Sequence, residues 1–133
     1  MPTAPPPKAS ALLEDAAVVW LTTVDPSGQP QASPVWFVID EGEFLVYSLE
    51  GTPRTRNLIV NPLVSLNLDS NEGGDVVIAE GVARVVDGPP STRHPAYQDK
   101  YLRRIERMGY TAAEFASAYP VPIRIEPVRW RSF

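Results

Sequence analysis

Short β-rich runs, each soon cut off by a turn signal, are what most restrict the folds open to this chain. Val18-Val19-Trp20-Leu21-Thr22-Thr23-Val24 stops at Asp25-Pro26-Ser27-Gly28. A second strand starts near Pro30 and stays almost continuously apolar or small from Gln31 to Ile39, until Asp40-Glu41-Gly42 makes a hairpin turn. Phe44 to Ser48 returns as the third strand. β-Branched and aromatic residues suit a pleated, half-buried surface, while Gly, Pro and Asp supply the dihedrals of turns. Val64, Leu66 and Leu68 alternate with Ser65, Asn67 and Asp69, which marks a strand with one buried face. After the polar Asn71-Glu72-Gly73-Gly74 loop a long strand runs from Asp75 to Val86, with Gly81 marking a bulge or a close backbone approach. Val121 to Trp130 forms a last strand, interrupted at Pro127. About six strands with short turns predict a mainly β (α+β) fold, an antiparallel barrel with peripheral helices.

Four helices decorate these strands. Ala9, Leu12, Leu13 and Ala16 share a face in Lys8 to Ala17. The second helix runs from Thr52 to about Val60, where Asn61-Pro62 stops it. Tyr97 to Met108 forms a charged helix, and Thr111-Ala112-Ala113-Glu114 opens another with a capping box. The last two are expected at the surface.

A chain of 133 residues suits one domain with a real core. No run approaches the roughly 18 apolar residues of a membrane helix. The leader Met1 to Lys8 reads as a frayed proline-rich segment with no basic region of a secretory signal. There are no cysteines, which excludes disulfides, thiolate metal sites and cysteine nucleophiles and agrees with a cytoplasmic home. A net charge of −4 argues against general nucleic-acid binding. Ten of the twelve basic residues are Arg, a bias that suits planar recognition of phosphate or carboxylate.

The strongest chemical signal is Gly51-Thr52-Pro53-Arg54-Thr55-Arg56-Asn57. Thr52 is a good N-cap and Pro53 a good first helical residue, so the free N–H groups of the first turn point back toward the preceding strand. Arg54 and Arg56 oppose the helix dipole there, a conflict that a bound phosphate would resolve. The competing reading is a pair of solvated arginines. Trp36, Tyr47, Trp20 and Trp130 could stack on a planar ring, although strand aromatics more often fill a core. His94, the single histidine, lies in a Pro-rich loop, and the acidic clusters Glu14-Asp15, Asp40-Glu41-Glu43 and Asp69-Glu72-Asp75 read as solvated charge near turns. With no histidine-based metal site, no catalytic triad and no phosphate loop, the chain offers no catalytic residue of its own. A cofactor must carry any reaction.

Trp20-Leu21-Thr22-Thr23-Val24 with Asp25, Gly28 and Pro30, then Ser33-Pro34-Val35-Trp36-Phe37, resembles the pyridoxamine 5′-phosphate oxidase-like family. Phe44-Leu45-Val46-Tyr47-Ser48, Pro53-Arg54-Thr55-Arg56-Asn57-Leu58, Asn61-Pro62, Val64-Ser65-Leu66 and Glu80-Gly81 continue the match in order, so that it covers roughly Ala16 to Trp130. The resemblance implies a six-stranded antiparallel split β-barrel of the FMN-binding type, and a homodimer with a cofactor site at its interface. It is nearest to small actinobacterial members thought to use the deazaflavin coenzyme F420. It implies that Ser33, Pro34, Val35 and Trp36 lie along the ring and ribityl chain. Tyr47, Ser48, Thr52, Arg54, Arg56 and Asn57 would surround the phosphate, with Arg54 standing where many members have Lys. The implied reaction is hydride transfer from reduced deazaflavin to an unsaturated small molecule of the quinone, enone or tetrapyrrole class. The alternatives are an FMN-dependent oxidoreductase and a non-catalytic protein binding flavin, deazaflavin or haem. The loop from Asp69 to Asp75 and the helices from Tyr97 to Tyr119 are expected to shape the pocket mouth.

Overall fold

The strand after Ala17 pairs on both of its sides. In the computed structural model, which describes residues 2–133 apart from the side chain of Asn71, β1 (Val19–Val24) runs antiparallel to β2 (Pro30–Val35) and to β5 (Leu63–Ser70). The sheet continues through β6 (Asp75–Val85), β7 (Val121–Ser132), β4 (Glu43–Ser48) and β3 (Val38–Asp40), in the order β2-β1-β5-β6-β7-β4-β3. Its two edge strands, β2 and β3, are consecutive in the chain and only Trp36 and Phe37 separate them. The sheet must therefore curl until its edges meet at that corner, which makes a split barrel of seven antiparallel strands.

The count exceeds the expected six because the run from Gln31 to Ile39 is two strands. At the break the Phe37 N–H donates to the Tyr101 hydroxyl at 2.8 Å, and the Phe37 carbonyl accepts from that hydroxyl at 2.9 Å. A side chain thus replaces the strand partner, and the backbone turns without leaving a buried polar group unpaired. The Glu41-Gly42 turn joins β3 to β4 with both residues at positive φ (53° and 77°), the geometry that matches the twist of a two-residue hairpin.

Curvature is also built at Gly81. The β6–β7 register shifts between Glu80, which faces Arg129, and Gly81, which faces Pro127, leaving Val128 as the extra residue of a bulge. The last strand therefore passes through Pro127 without interruption. A Cβ at position 81 would lie 2.8 Å from both the Glu126 carbonyl oxygen and Ile125 Cγ2. Gly81→Ala is expected to cost about 1–2 kcal/mol through overpacking, read as a lower midpoint in denaturant titration.

The leader does not fray where it is described. The Thr3 N–H donates to the Pro127 carbonyl at 2.9 Å, and Trp130 Nε1 donates to the Thr3 carbonyl at 2.7 Å. The leader thus takes up the Pro127 carbonyl beside the bulge. Met1 lies outside the described residues. Helix α1 follows at Pro7–Asp15, and α2 occupies Pro53–Val60.

Two apolar clusters meet across β4. Phe44 and Val46 join Leu21, Leu58, Leu66, Ile123 and Ile125 in the barrel interior. Leu45 and Tyr47 point the other way, into a cluster with Tyr97, Tyr101, Ile105 and Phe115 from α3 (Pro95–Arg107) and α4 (Ala112–Ala118). Burial on both faces explains why β4 reads as continuously apolar. These helices are therefore more than surface decoration. Tyr97, Tyr101 and Ile105, spaced by four, are fully buried.

Candidate functional site

The N-terminus of α2 forms as its sequence requires. Thr52 caps it, its hydroxyl accepting from the Thr55 N–H at 3.3 Å and lying 2.7 Å from the Thr55 hydroxyl. Asn57 on the inner face is buried, its amide donating to Thr23 Oγ1 at 3.0 Å and to Gln31 Oε1 at 2.7 Å. Helix, β1 and β2 are thereby held in one relation.

This frame directs Arg54 inward. Its Nε donates to the Ser48 hydroxyl at 3.1 Å, and its Nη1 donates to the Ser33 hydroxyl at 3.0 Å. The guanidinium is half-buried and meets no carboxylate within ion-pair distance among the described residues. Burial accordingly pulls its pKa below the usual arginine value. A desolvated cation satisfied only by neutral hydroxyls is electrostatically incomplete, and an anion is what completes it.

Arg54 borders a cavity of about 310 Å³ lined also by Pro34, Val35, Trp36, Tyr47, Leu49, Tyr97, Met108, Phe115 and Tyr119. Trp36 is held rigidly, stacked at 4.7 Å on Tyr101 with an interplanar angle of 1° and at 5.5 Å on Phe115. Tyr47 meets Tyr97 edge-on at 4.9 Å. Burial raises the Tyr47 pKa, so its hydroxyl stays protonated, and it donates over 3.4 Å to the Pro89 carbonyl. One cavity thus joins a cationic end to a flat aromatic wall. That shape accepts a planar ring carrying an anionic tail.

Of the ten residues expected at the site, Pro34, Val35, Trp36, Tyr47 and Arg54 line the cavity, and Ser33 and Ser48 hold Arg54. Thr52 and Asn57 fix the turn behind it. Arg56 is exposed and donates to the Gly51 carbonyl, which places it outside the cavity wall. The helices from Tyr97 to Tyr119 do shape the cavity, whereas no described residue of the Asp69–Asp75 loop lines it. Leu49 and Met108 went unmarked because single apolar residues at element ends carry no local signal.

His94 is committed elsewhere. Its Nδ1 accepts from the Tyr97 N–H at 3.2 Å and so caps α3, while its Nε2 lies 3.3 Å from Asp40 Oδ1. Asp40 also binds Arg124 at 2.6 Å, and that hydrogen bond holds its carboxyl below the usual range. Glu43 takes Arg84 through both oxygens, at 2.7 and 3.1 Å. The cluster expected to be solvated charge is instead an ion-pair network bracing β3, β4, β6 and β7. Among the described residues no group of three or more His, Cys, Asp or Glu could hold a metal ion.

A family model described as pyridoxamine 5′-phosphate oxidase matches residues 5–132. The chain belongs to the pyridoxamine 5′-phosphate oxidase family. Solved structures with the same fold include an F420 reductase, 22% identical, with a TM-score of 0.75 and covering 95% of this chain and 98% of that one. The conserved protein Rv2991 of Mycobacterium tuberculosis is 22% identical with a TM-score of 0.74, covering 98% of this chain and 89% of its own. HutZ, the haem storage protein of Vibrio cholerae, is 20% identical with a TM-score of 0.66, covering 98% and 94%. At these identities the likeness shows the shared split barrel. Within the pyridoxamine 5′-phosphate oxidase family, whose members include flavin-type oxidoreductases and binding proteins, the cavity beside Arg54 is this chain's candidate cofactor site.

Proposed function

We propose that this member of the family is a cytoplasmic oxidoreductase that binds the deazaflavin coenzyme F420 and reduces an unsaturated small molecule of the quinone, enone or tetrapyrrole class. The observation that carries the reading is Arg54: a half-buried guanidinium without a carboxylate, bordering an aromatic cavity. Arg54 would take the phosphate with the Ser33 and Ser48 hydroxyls turned toward the same anion, and the first turn of α2 adds its positive end. Arg56, on the exposed side of that turn, would exchange the Gly51 carbonyl for phosphate oxygen. Thr52 and Asn57 keep the turn in place. Pro34, Val35 and Trp36 would pack along the ring, and the protonated Tyr47 hydroxyl would exchange the Pro89 carbonyl for a polar edge of the ring. When bound, the deazaflavin supplies a hydride. The chain's own residues orient the ring and exclude water, which fits a cavity lined, among the described residues, by no His, Asp or Glu.

The test is a fluorescence titration with F420 and with FMN, followed by turnover of quinones and enones with the reduced form of whichever binds. Selective F420 binding with turnover supports the proposal. Tight FMN binding alone would move the chain to flavin chemistry, and binding without turnover would make it a carrier. Haem ligation through His94 has no support, since both ring nitrogens are engaged within the fold.

The same proposal includes a homodimer that completes the site. Ile59, Val60 and Leu63 are 68%, 71% and 63% exposed at the end of α2 and the start of β5, and Leu63 shares an apolar groove with Val24, Pro30 and Val128. Such a contiguous face is expected to meet a second copy. Light scattering should give twice the chain mass, and Leu63→Glu should yield monomer with weaker cofactor binding. A monomeric wild type would remove the dimer from the proposal.

A further inference from the structure

Beside the cavity that Arg54 borders, aromatic rings stand in a single column. Tyr101 stacks on Trp36 at 4.7 Å with an interplanar angle of 1°, Trp36 on Phe115 at 5.5 Å and 16°, and Phe115 on Tyr119 at 4.5 Å and 21°. Among the described residues Tyr101 makes no ring contact with Phe115, nor Trp36 with Tyr119, so the two neighbours of each inner ring lie on opposite faces. Trp36 and Phe115 are therefore covered on both sides. Only an end of the column can receive another ring face to face.

The inner end is closed, because Tyr101 is fully buried with Tyr97 tilted against it at 4.8 Å. The outer end is Tyr119, which is half-buried, lines the cavity and has Phe115 as its single ring partner among the described residues. The sequence of α4 sets that end. Thr111 and Glu114 close the capping box at 3.1 and 3.0 Å, which fixes where the helix begins. Phe115 and Tyr119, four residues apart, then share a face, and the Tyr119 N–H donates to the Phe115 carbonyl at 2.9 Å.

We propose that the free face of Tyr119 is the platform on which the substrate stacks, which selects a flat, fully conjugated ring of the quinone class over a puckered enone. This narrows the substrate class given above and rests on that reading for its place in the reaction. A phenol ring is electron-rich over its faces, whereas a quinone ring is drained by its two carbonyls, so the pair favours face-to-face contact. A puckered ring meets such a face at few atoms. Tyr119 acts by binding and orientation, and no bond to it forms or breaks.

The test is equilibrium dialysis of 1,4-naphthoquinone and of cyclohex-2-enone against wild type, Tyr119→Phe and Tyr119→Leu, without cofactor. Naphthoquinone should bind wild type and Tyr119→Phe within about twofold of one another and Tyr119→Leu roughly three- to tenfold more weakly, the usual contribution of one aromatic stack. Cyclohexenone should bind all three alike. No measurable binding of naphthoquinone to wild type, or equal affinity for wild type and Tyr119→Leu, would overturn the proposal. So would an equal loss in Tyr119→Phe, which would make the hydroxyl and not the ring the contact. F420 is titrated separately into the same proteins. Its failure to bind wild type would remove the cofactor reading and leave the quinone result standing, whereas a loss of threefold or more in Tyr119→Leu would give the platform to the cofactor and overturn the substrate assignment.

Discussion

Tyr101→Phe should destabilise the fold by about 2–3 kcal/mol, a drop in Tm of roughly 6–12 °C for a chain of this size. The Tyr101 hydroxyl accepts from the buried Phe37 N–H at 2.8 Å and lies 2.7 Å from the Ala17 carbonyl and 2.9 Å from the Phe37 carbonyl. It has one proton for two acceptors, and Lys100 supplies the second donor at Phe37. Removing the oxygen strands an N–H inside the protein, which is the expensive way to lose a hydrogen bond. Tyr97→Phe is the matched control. The Tyr97 ring is equally buried, but its hydroxyl has no hydrogen-bond partner among the described residues, so its removal should be neutral or stabilising. Differential scanning calorimetry of the two variants separates the corner's polar lock from the general packing of α3. Equal effects would mean that the lock contributes nothing.

Arg54→Ala should weaken binding of a phosphorylated cofactor roughly 10- to 100-fold, the loss of one charge-assisted hydrogen bond of about 1.5–3 kcal/mol. The same change should leave stability nearly untouched or slightly raised, because it removes a half-buried cation that only Ser33 and Ser48 satisfy. Binding and stability moving in opposite directions would mark a residue kept for its ligand. Arg54→Lys should fall between, since an ammonium keeps the charge and loses the fork. Arg56→Ala should cost less than Arg54→Ala, because Arg56 is exposed and its contribution is screened by solvent and salt.

The α2 turn was legible in the sequence because its chemistry is local: a Thr cap, a Pro at the first position and basic residues where anions belong. What the local pattern could not do was separate Arg54 from Arg56. Both sit in the same turn, and only the placement of β2 and β4 beside it buries one and exposes the other. The corner at Trp36 and Phe37 was illegible for a similar reason. Gln31 to Ile39 reads as one apolar strand, and the bend is imposed by a hydroxyl 64 residues away. Gly81 was readable because a glycine inside a strand pattern already implies a close backbone. The burial of α3 was masked by its six charged residues between Asp99 and Arg107, although Tyr97, Tyr101 and Ile105 at four-residue spacing carry the inward face. His94 and the Asp40–Glu43 cluster show the opposite case. Polar residues near turns looked solvated, while the fold closed them into a network with Arg84 and Arg124.

The role proposed for Arg54 is to grip the phosphate of a planar redox cofactor in the aromatic cavity. Isothermal titration of wild type and Arg54→Ala with F420, FMN and riboflavin, which has the ring and ribityl chain of FMN but no phosphate, tests it most directly. Tightest binding is expected for F420, with a loss of roughly 10- to 100-fold in the variant for the phosphate-bearing ligands and no difference between the proteins for riboflavin. F420 binding to Arg54→Ala with wild-type affinity would contradict it.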